Sequence, residues 1–153
     1  MRAYDRIKAE RGREVTLETP DFLAQARKLL SRSVSIQLRM SGSSMRPAIE
    51  DGDIITIEPI GDGNPIRQGD IVLYNTTQDT AVIHRVVRVE RSSSEKSIIT
   101  RGDGAAQNDL PVSLHRVLGR VRHVERAGEP VAMSAQRISL LDRVLTWFRR
   151  FRR

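Results

Sequence analysis

Ser44, His84 and Asp103 are the residues of this chain whose types could together break an acyl bond. A serine hydroxyl is a poor nucleophile until a neighbouring base takes its proton. A near-neutral imidazole can accept that proton and return it to a leaving group. A carboxylate on the ring can hold the correct tautomer and stabilise the imidazolium. The developing oxyanion also needs preorganised donors. The run Ser41-Gly42-Ser43-Ser44-Met45-Arg46-Pro47 offers backbone N–H groups from Gly42 to Ser44, with the Ser41 or Ser43 hydroxyl beside them. Gly42 lets a substrate backbone approach closely, Met45 can form a core or pocket floor, and Pro47 stiffens the exit. The candidate catalytic set is therefore Ser44, His84 and Asp103, with Gly42, Ser43 and Met45 as oxyanion and substrate-binding residues.

Other residues compete for these roles. Leu114-His115-Arg116-Val117 nearly repeats the surroundings of His84, so His115 is a second, weaker candidate for the base, and His123 reads as a surface residue. Asp103 could instead shape a turn, as aspartate beside glycine often does. Asp51, Asp53 and Asp70 read as turn formers for the same reason. The chain has no cysteine, which excludes disulfides, thiol catalysis and cysteine-based zinc sites. Its three histidines are widely spaced and lack an HExxH arrangement, so no metal or other cofactor is expected.

These side chains must be held by a scaffold, and the pattern is mainly β. Val34, Ile36, Leu38 and Met40 alternate with polar residues, as in a half-buried strand that leads straight into the serine turn. Ile54 to Ile57, Ile71 to Tyr74, Ala81 to Glu90 and Ser97 to Thr100 read as further strands. Asp51-Gly52-Asp53, the Gly/Pro-rich stretch 59–69 and Ser92-Ser93-Ser94 separate them. Val112 to Val124 reads as one long β run with a bulge or bend at Gly119. Thr19-Pro20-Asp21 opens a short helix that ends near Ser31. A chain of 153 residues with 39% apolar content can bury one core. The expected architecture is a compact, curled all-β body over residues 19–132. A polar, loosely ordered segment, 1–18, precedes it, and a basic amphipathic helix, 133–153, follows it.

Charge is concentrated in that last segment. Residues 137–153 carry six arginines against one aspartate, a net +5 of the +7 total. Trp147, Phe148 and Phe151 lie on its apolar face. The helix has three readings: packing on the body, peripheral contact with an anionic membrane, or binding an acidic partner. No run approaches the ~18 apolar residues of a membrane span, and Met1 to Val15 lacks the apolar core of a secretory signal. The expected location is cytoplasmic, with peripheral attachment at the inner face of the membrane as an option. A peptide or protein is the expected partner, and nucleic acid is not.

The motifs also resemble a known family. Gly42-Ser43-Ser44-Met45-Arg46-Pro47 resembles the G-x-S-M-x-P box of type I signal peptidases, in which the serine before methionine is the nucleophile. Gly69-Asp70-Ile71-Val72-Leu73-Tyr74 is similar to the second box, Ile83-His84-Arg85-Val86-Val87 to the box carrying the base, Arg101-Gly102-Asp103 to the G-D box, and Gly119-Arg120-Val121 to the closing strand. A histidine base, as here, is the archaeal and endoplasmic-reticulum form. Gly104 stands where that family often has asparagine, and no counterpart of its usual N-terminal membrane anchor is expected from this sequence. The resemblance covers roughly residues 34–124. It implies a serine endopeptidase that cleaves after a small residue, including signal-peptide processing, with Asp103 supporting the base. LexA-type repressors share the fold and the serine box but use a lysine base, and self-cleavage of that kind is an alternative. A non-catalytic peptide- or nucleic-acid-binding module is another.

Overall fold

A computed structural model describes residues 7–9, 14–15, 19–61, 63–91 and 95–133. The expected C-terminal helix and the Ser92–Ser94 turn lie outside the described residues, apart from Met133. Ten strands form one antiparallel sheet: β1 (Ile7–Ala9), β2 (Glu14–Val15), β3 (Ile36–Arg39), β4 (Ile54–Pro59), β5 (Ile71–Asn75), β6 (Ala81–Arg91), β7 (Lys96–Arg101), β8 (Val112–Ser113), β9 (Val117–Arg126) and β10 (Glu129–Pro130). Their spatial order is β2-β1-β3-β4-β9-β5-β6-β7-β8, with β10 against β9. The sheet is curled, as the mainly β reading expected. β1 pairs with β3, so part of the segment expected to be loosely ordered joins the sheet. The expected single run Val112 to Val124 is instead broken by a 3-10 turn, Leu114–Arg116, which swings the chain from the β7 side to its place beside β5.

The helix α1 (Thr19–Leu30) closes one face. Its buried residues Phe22, Leu23, Ala26 and Leu30 recur at helical spacing. They pack in the larger core with Ile36 and Leu38 of β3, Ile55 and Ile57 of β4, and Val121 and Val124 of β9. Gly119 permits this packing. A Cβ there would lie 2.5 Å from Ile57 Cγ2, 2.8 Å from the Glu58 carbonyl oxygen and 3.2 Å from Leu30 Cδ1. The β5–β9 register also shifts between Leu73 and Tyr74, leaving Leu118 unpaired next to the glycine.

β5 is buried on both faces, and this divides the interior in two. Ile71 and Leu73 face the larger core, whereas Val72 and Tyr74 face a second cluster with Val86, Ile98 and Val112. Side chains alternate along a strand, so on β6 Ala81 and Ile83 join the first core while Val82 and His84 turn to the second side. His84 stands opposite Val72 and Val82 opposite Tyr74. The second cluster is thus walled by β5, β6, β7 and β8, and His84 stands at its edge.

Candidate active site

The serine turn is fastened at both ends. Past β3, the Met40 N–H donates to the Asp53 carbonyl at 2.7 Å and the Gly52 N–H donates to the Met40 carbonyl at 2.8 Å. Arg126 of β9 donates through Nε and a terminal nitrogen to both Asp53 oxygens at 2.9 Å, and its other terminal nitrogen lies 3.0 Å from Glu50. Inside the loop, Arg46 N–H donates to Ser43 O and Ile49 N–H to Met45 O. Met45 and Ile49 are buried in the larger core and anchor the turn. Ser44 is half-buried and Ser43 exposed.

Gly42 has φ of 107°, a conformation that favours glycine. Its N–H donates to Asp51 Oδ1 at 2.9 Å. That amide is already engaged, so the expectation that Gly42 supplies an oxyanion donor is corrected. The N–H groups of Ser44 and Met45 have no protein acceptor among the described residues.

The loop after β7 sets the Ser44 backbone beside His84, and no hydrogen bond joins the Ser44 hydroxyl to the ring. Gly104 N–H donates to the Ser44 carbonyl at 2.9 Å. A Cβ on Gly102 would sit 2.6 Å from that same carbonyl oxygen and 3.1 Å from His84 Nε2. Gly102 therefore fills the narrow space between the serine backbone and the imidazole, and no larger residue fits without displacing one of them. On the other side of the ring, His84 Nδ1 lies 2.6 Å from Asp109 Oδ2. The Thr100 hydroxyl donates to the same oxygen at 2.8 Å, and the Tyr74 hydroxyl donates to it at 3.3 Å. Tyr74, His84 and Thr100 come from three adjacent strands but share the second face, which is why one carboxylate can gather all three. The His84 and Asp109 side chains retain 15% and 29% exposure, so the pair borders solvent.

The surroundings of Asp109 favour its charged form. Burial disfavours the Asp109 carboxylate, but hydrogen bonds from His84, Thr100 and Tyr74, with the attraction of the His84 charge, outweigh it and lower its pKa. Burial pushes the Tyr74 hydroxyl well above its ordinary range, so it remains a donor.

Asp103 does not reach His84. It forms a bidentate ion pair with Arg85, Nε to Oδ1 at 2.8 Å and a terminal nitrogen to Oδ2 at 2.7 Å, while Arg85 also donates to the Gly69 carbonyl at 2.9 Å. Arg85 follows His84 in β6 and so projects to the opposite face. The expected Asp103–His84 contact is corrected: the carboxylate on the imidazole is Asp109. A buried arginine requires a counter-charge, and that need claims Asp103. Reading Arg85 as an interior strand residue would have exposed this from the sequence. Asp109, in the irregular run Asn108-Asp109-Leu110-Pro111, carries no comparable local signal.

The competing residues lie elsewhere. His115 is exposed and contacts Ser113 and Glu95, and His123 is exposed. Asp51 and Asp53 hold the serine loop, and Asp70 accepts from the Arg67 N–H at its turn.

An unpaired strand edge runs beside the site. β6 pairs with β5 over Ala81–Arg85, but its β7 ladder begins only at Arg85. The edge of Ala81–His84 facing away from β5 has no strand partner among the described residues.

The chain is 35% identical over 80 residues to the signal peptidase complex catalytic subunit of Lachancea thermotolerans, covering 50% of this chain and 46% of that protein. It is 33% identical over 75 residues to Signal peptidase I W of Bacillus subtilis, covering 48% and 39%. Against the signal peptidase complex catalytic subunit of Yarrowia lipolytica it is 28% identical over 106 residues, covering 69% and 58%. The chain thus spans about half the length of the curated relatives it matches. No helix among the described residues is long and apolar enough to cross a membrane. A family match runs over residues 2–121, from before β1 into β9, and takes in the serine turn, the histidine strand and both aspartates. On that match the chain belongs to the Peptidase S24-like family.

Proposed function

We propose that this protein is a serine endopeptidase of the signal-peptidase-like class, with Ser44 and His84 as its catalytic residues and Asp109 positioning the imidazole. The observation that carries the reading is the contact at Gly102, which sets the Ser44 backbone and His84 Nε2 against one residue while Asp109 holds Nδ1. Ser44 Oγ attacks a peptide carbonyl and its proton passes to His84 Nε2. The imidazolium, stabilised by the Asp109 carboxylate, then protonates the leaving amine. Water repeats the sequence to release the acyl group from Ser44. The free N–H groups at Ser44 and Met45, with the exposed Ser43 hydroxyl, are the donors for the oxyanion.

The substrate is an extended peptide that adds a strand along the Ala81–His84 edge of β6. The relatives' names support a protein substrate, and the residue before the scissile bond is small. Changing Ser44 to alanine should abolish cleavage of such peptides and leave the circular dichroism and urea midpoint unchanged. Undiminished turnover by Ser44→Ala would refute the mechanism. Intact-mass measurement during incubation separates cleavage of added peptides from cleavage of the chain itself.

A further inference from the structure

A cavity of about 450 Å3 opens directly beside His84 and Asp109. Tyr74, Val82, Pro111 and Val112 supply its apolar wall, Leu110 its lip and Arg116 part of its polar rim. It lies at the end of the second core, where the β5–β6 hairpin faces the loop that carries Asp109. Its volume falls in the range of about 300–1,000 Å3 typical of ligand sites. Leu110 is 85% exposed, the one large apolar side chain so displayed among the described residues. Arg116 is held in place by donating to the Thr76 carbonyl at 2.8 Å, which ties the hairpin to the chain between β8 and β9.

The position of the cavity relative to the unpaired edge of β6 defines what fills it. A peptide strand added beside Ala81–His84 shares the pleat of the sheet, so its side chains alternate between the two faces. Those of one parity turn to the side of Ile83 and Met45, where the larger core is already closely filled. Those of the other parity turn to the side of Val82 and His84, where the cavity is. Building on the peptidase reading, we propose that this cavity is a specificity pocket for a bulky apolar side chain on the substrate residue that precedes the small residue at the scissile bond. Such a side chain would cover Leu110 and rest on Val82. Its backbone would continue along β6, with the scissile carbonyl arriving at Ser44.

The test uses the full chain and a set of fluorescein-labelled decapeptides with alanine before the scissile bond. The preceding residue is alanine, leucine, tryptophan, aspartate or lysine. Discrimination by an apolar pocket is worth about tenfold or more, so kcat/KM for the tryptophan peptide should exceed that for the alanine peptide by at least about tenfold. Val82→Trp, which fills the cavity, and Leu110→Asp, which changes only an exposed side chain, should each bring that ratio close to one. Cleavage with no preference at this residue, or a preference untouched by Leu110→Asp, overturns the pocket and leaves the catalytic reading standing. If no peptide is cut, fluorescence anisotropy with the same set decides the matter. A tenfold tighter tryptophan complex that is lost in Leu110→Asp upholds the pocket while rejecting the peptidase. Equal binding of all five peptides rejects the pocket.

Discussion

The two faces of β6 each carry a side chain paired with a carboxylate, one residue apart, and the two pairs differ in kind. On one face Arg85 and Asp103 are matched by two parallel hydrogen bonds, and their side chains are only 7% and 3% exposed. A guanidinium is always charged, so no proton moves and the pair acts as a rivet holding the Gly102–Gly104 loop. On the other face His84 and Asp109 share a single short hydrogen bond near solvent, and the second imidazole nitrogen faces the serine turn. The contrast shows that the partner a carboxylate takes follows from the face of β6 its loop returns to, not from the motif it sits in.

The largest effect that would break this comparison is Asp103→Ala. Leaving Arg85 buried without its counter-charge should cost about 3–5 kcal/mol of stability, read as a large fall in urea midpoint. A variant as stable as the parent protein would remove the rivet from the argument. Asp109→Asn should do the reverse. Stability should fall by about 1–3 kcal/mol for the disturbed hydrogen bonds, while turnover under the proposed mechanism drops by about 10^2- to 10^4-fold. Because Asp109 acts through His84, the pH profile of the residual activity should also shift, and Asp109→Glu should recover part of the rate. A structural role alone would leave the profile in place.

The smallest effect concerns acid. The pKa values of Asp53, hydrogen-bonded to Arg126 against the opposing effect of burial, and Asp109 are both lowered in the folded chain. Unfolded, each binds a proton more readily. Their stabilisation is therefore complete above the ordinary carboxylate range, about 4, and is lost as pH falls through the lowered folded values. Urea midpoints should hold between pH 7 and 5 and decline below 4. In Asp109→Asn the decline should be shallower.

Much of the scaffold was legible because alternation has a direct cause. Val34 to Met40 and Ile54 to Ile57 each present one face to a core, and period-two patterning reports that burial, whereas Ala81 to Glu90, packed on both faces, reads as a strand through its β-branched residues. The serine turn and the histidine strand were legible because a glycine-serine turn after a strand and a histidine within one are local features. The choice between Asp103 and Asp109 was not, since it depends on which face of β6 each loop returns to. The 3-10 break at Leu114–Arg116 was hidden for a similar reason: Val112, Val117 and Val121 read as one strand although the chain changes neighbours between them. The strand at Ile7–Ala9 pairs with β3 from a highly charged stretch, where tertiary pairing overrides composition.

The hydrogen bond from Gly104 N–H to the Ser44 carbonyl has a consequence in time as well as in space. It joins the serine turn to the loop after β7 main chain to main chain. Whenever that amide opens, the turn and the imidazole are no longer registered to one another. When reclosing is fast, the exchange rate of that single glycine proton, divided by its rate in an open chain, therefore reports the fraction of molecules in which the two loops have parted.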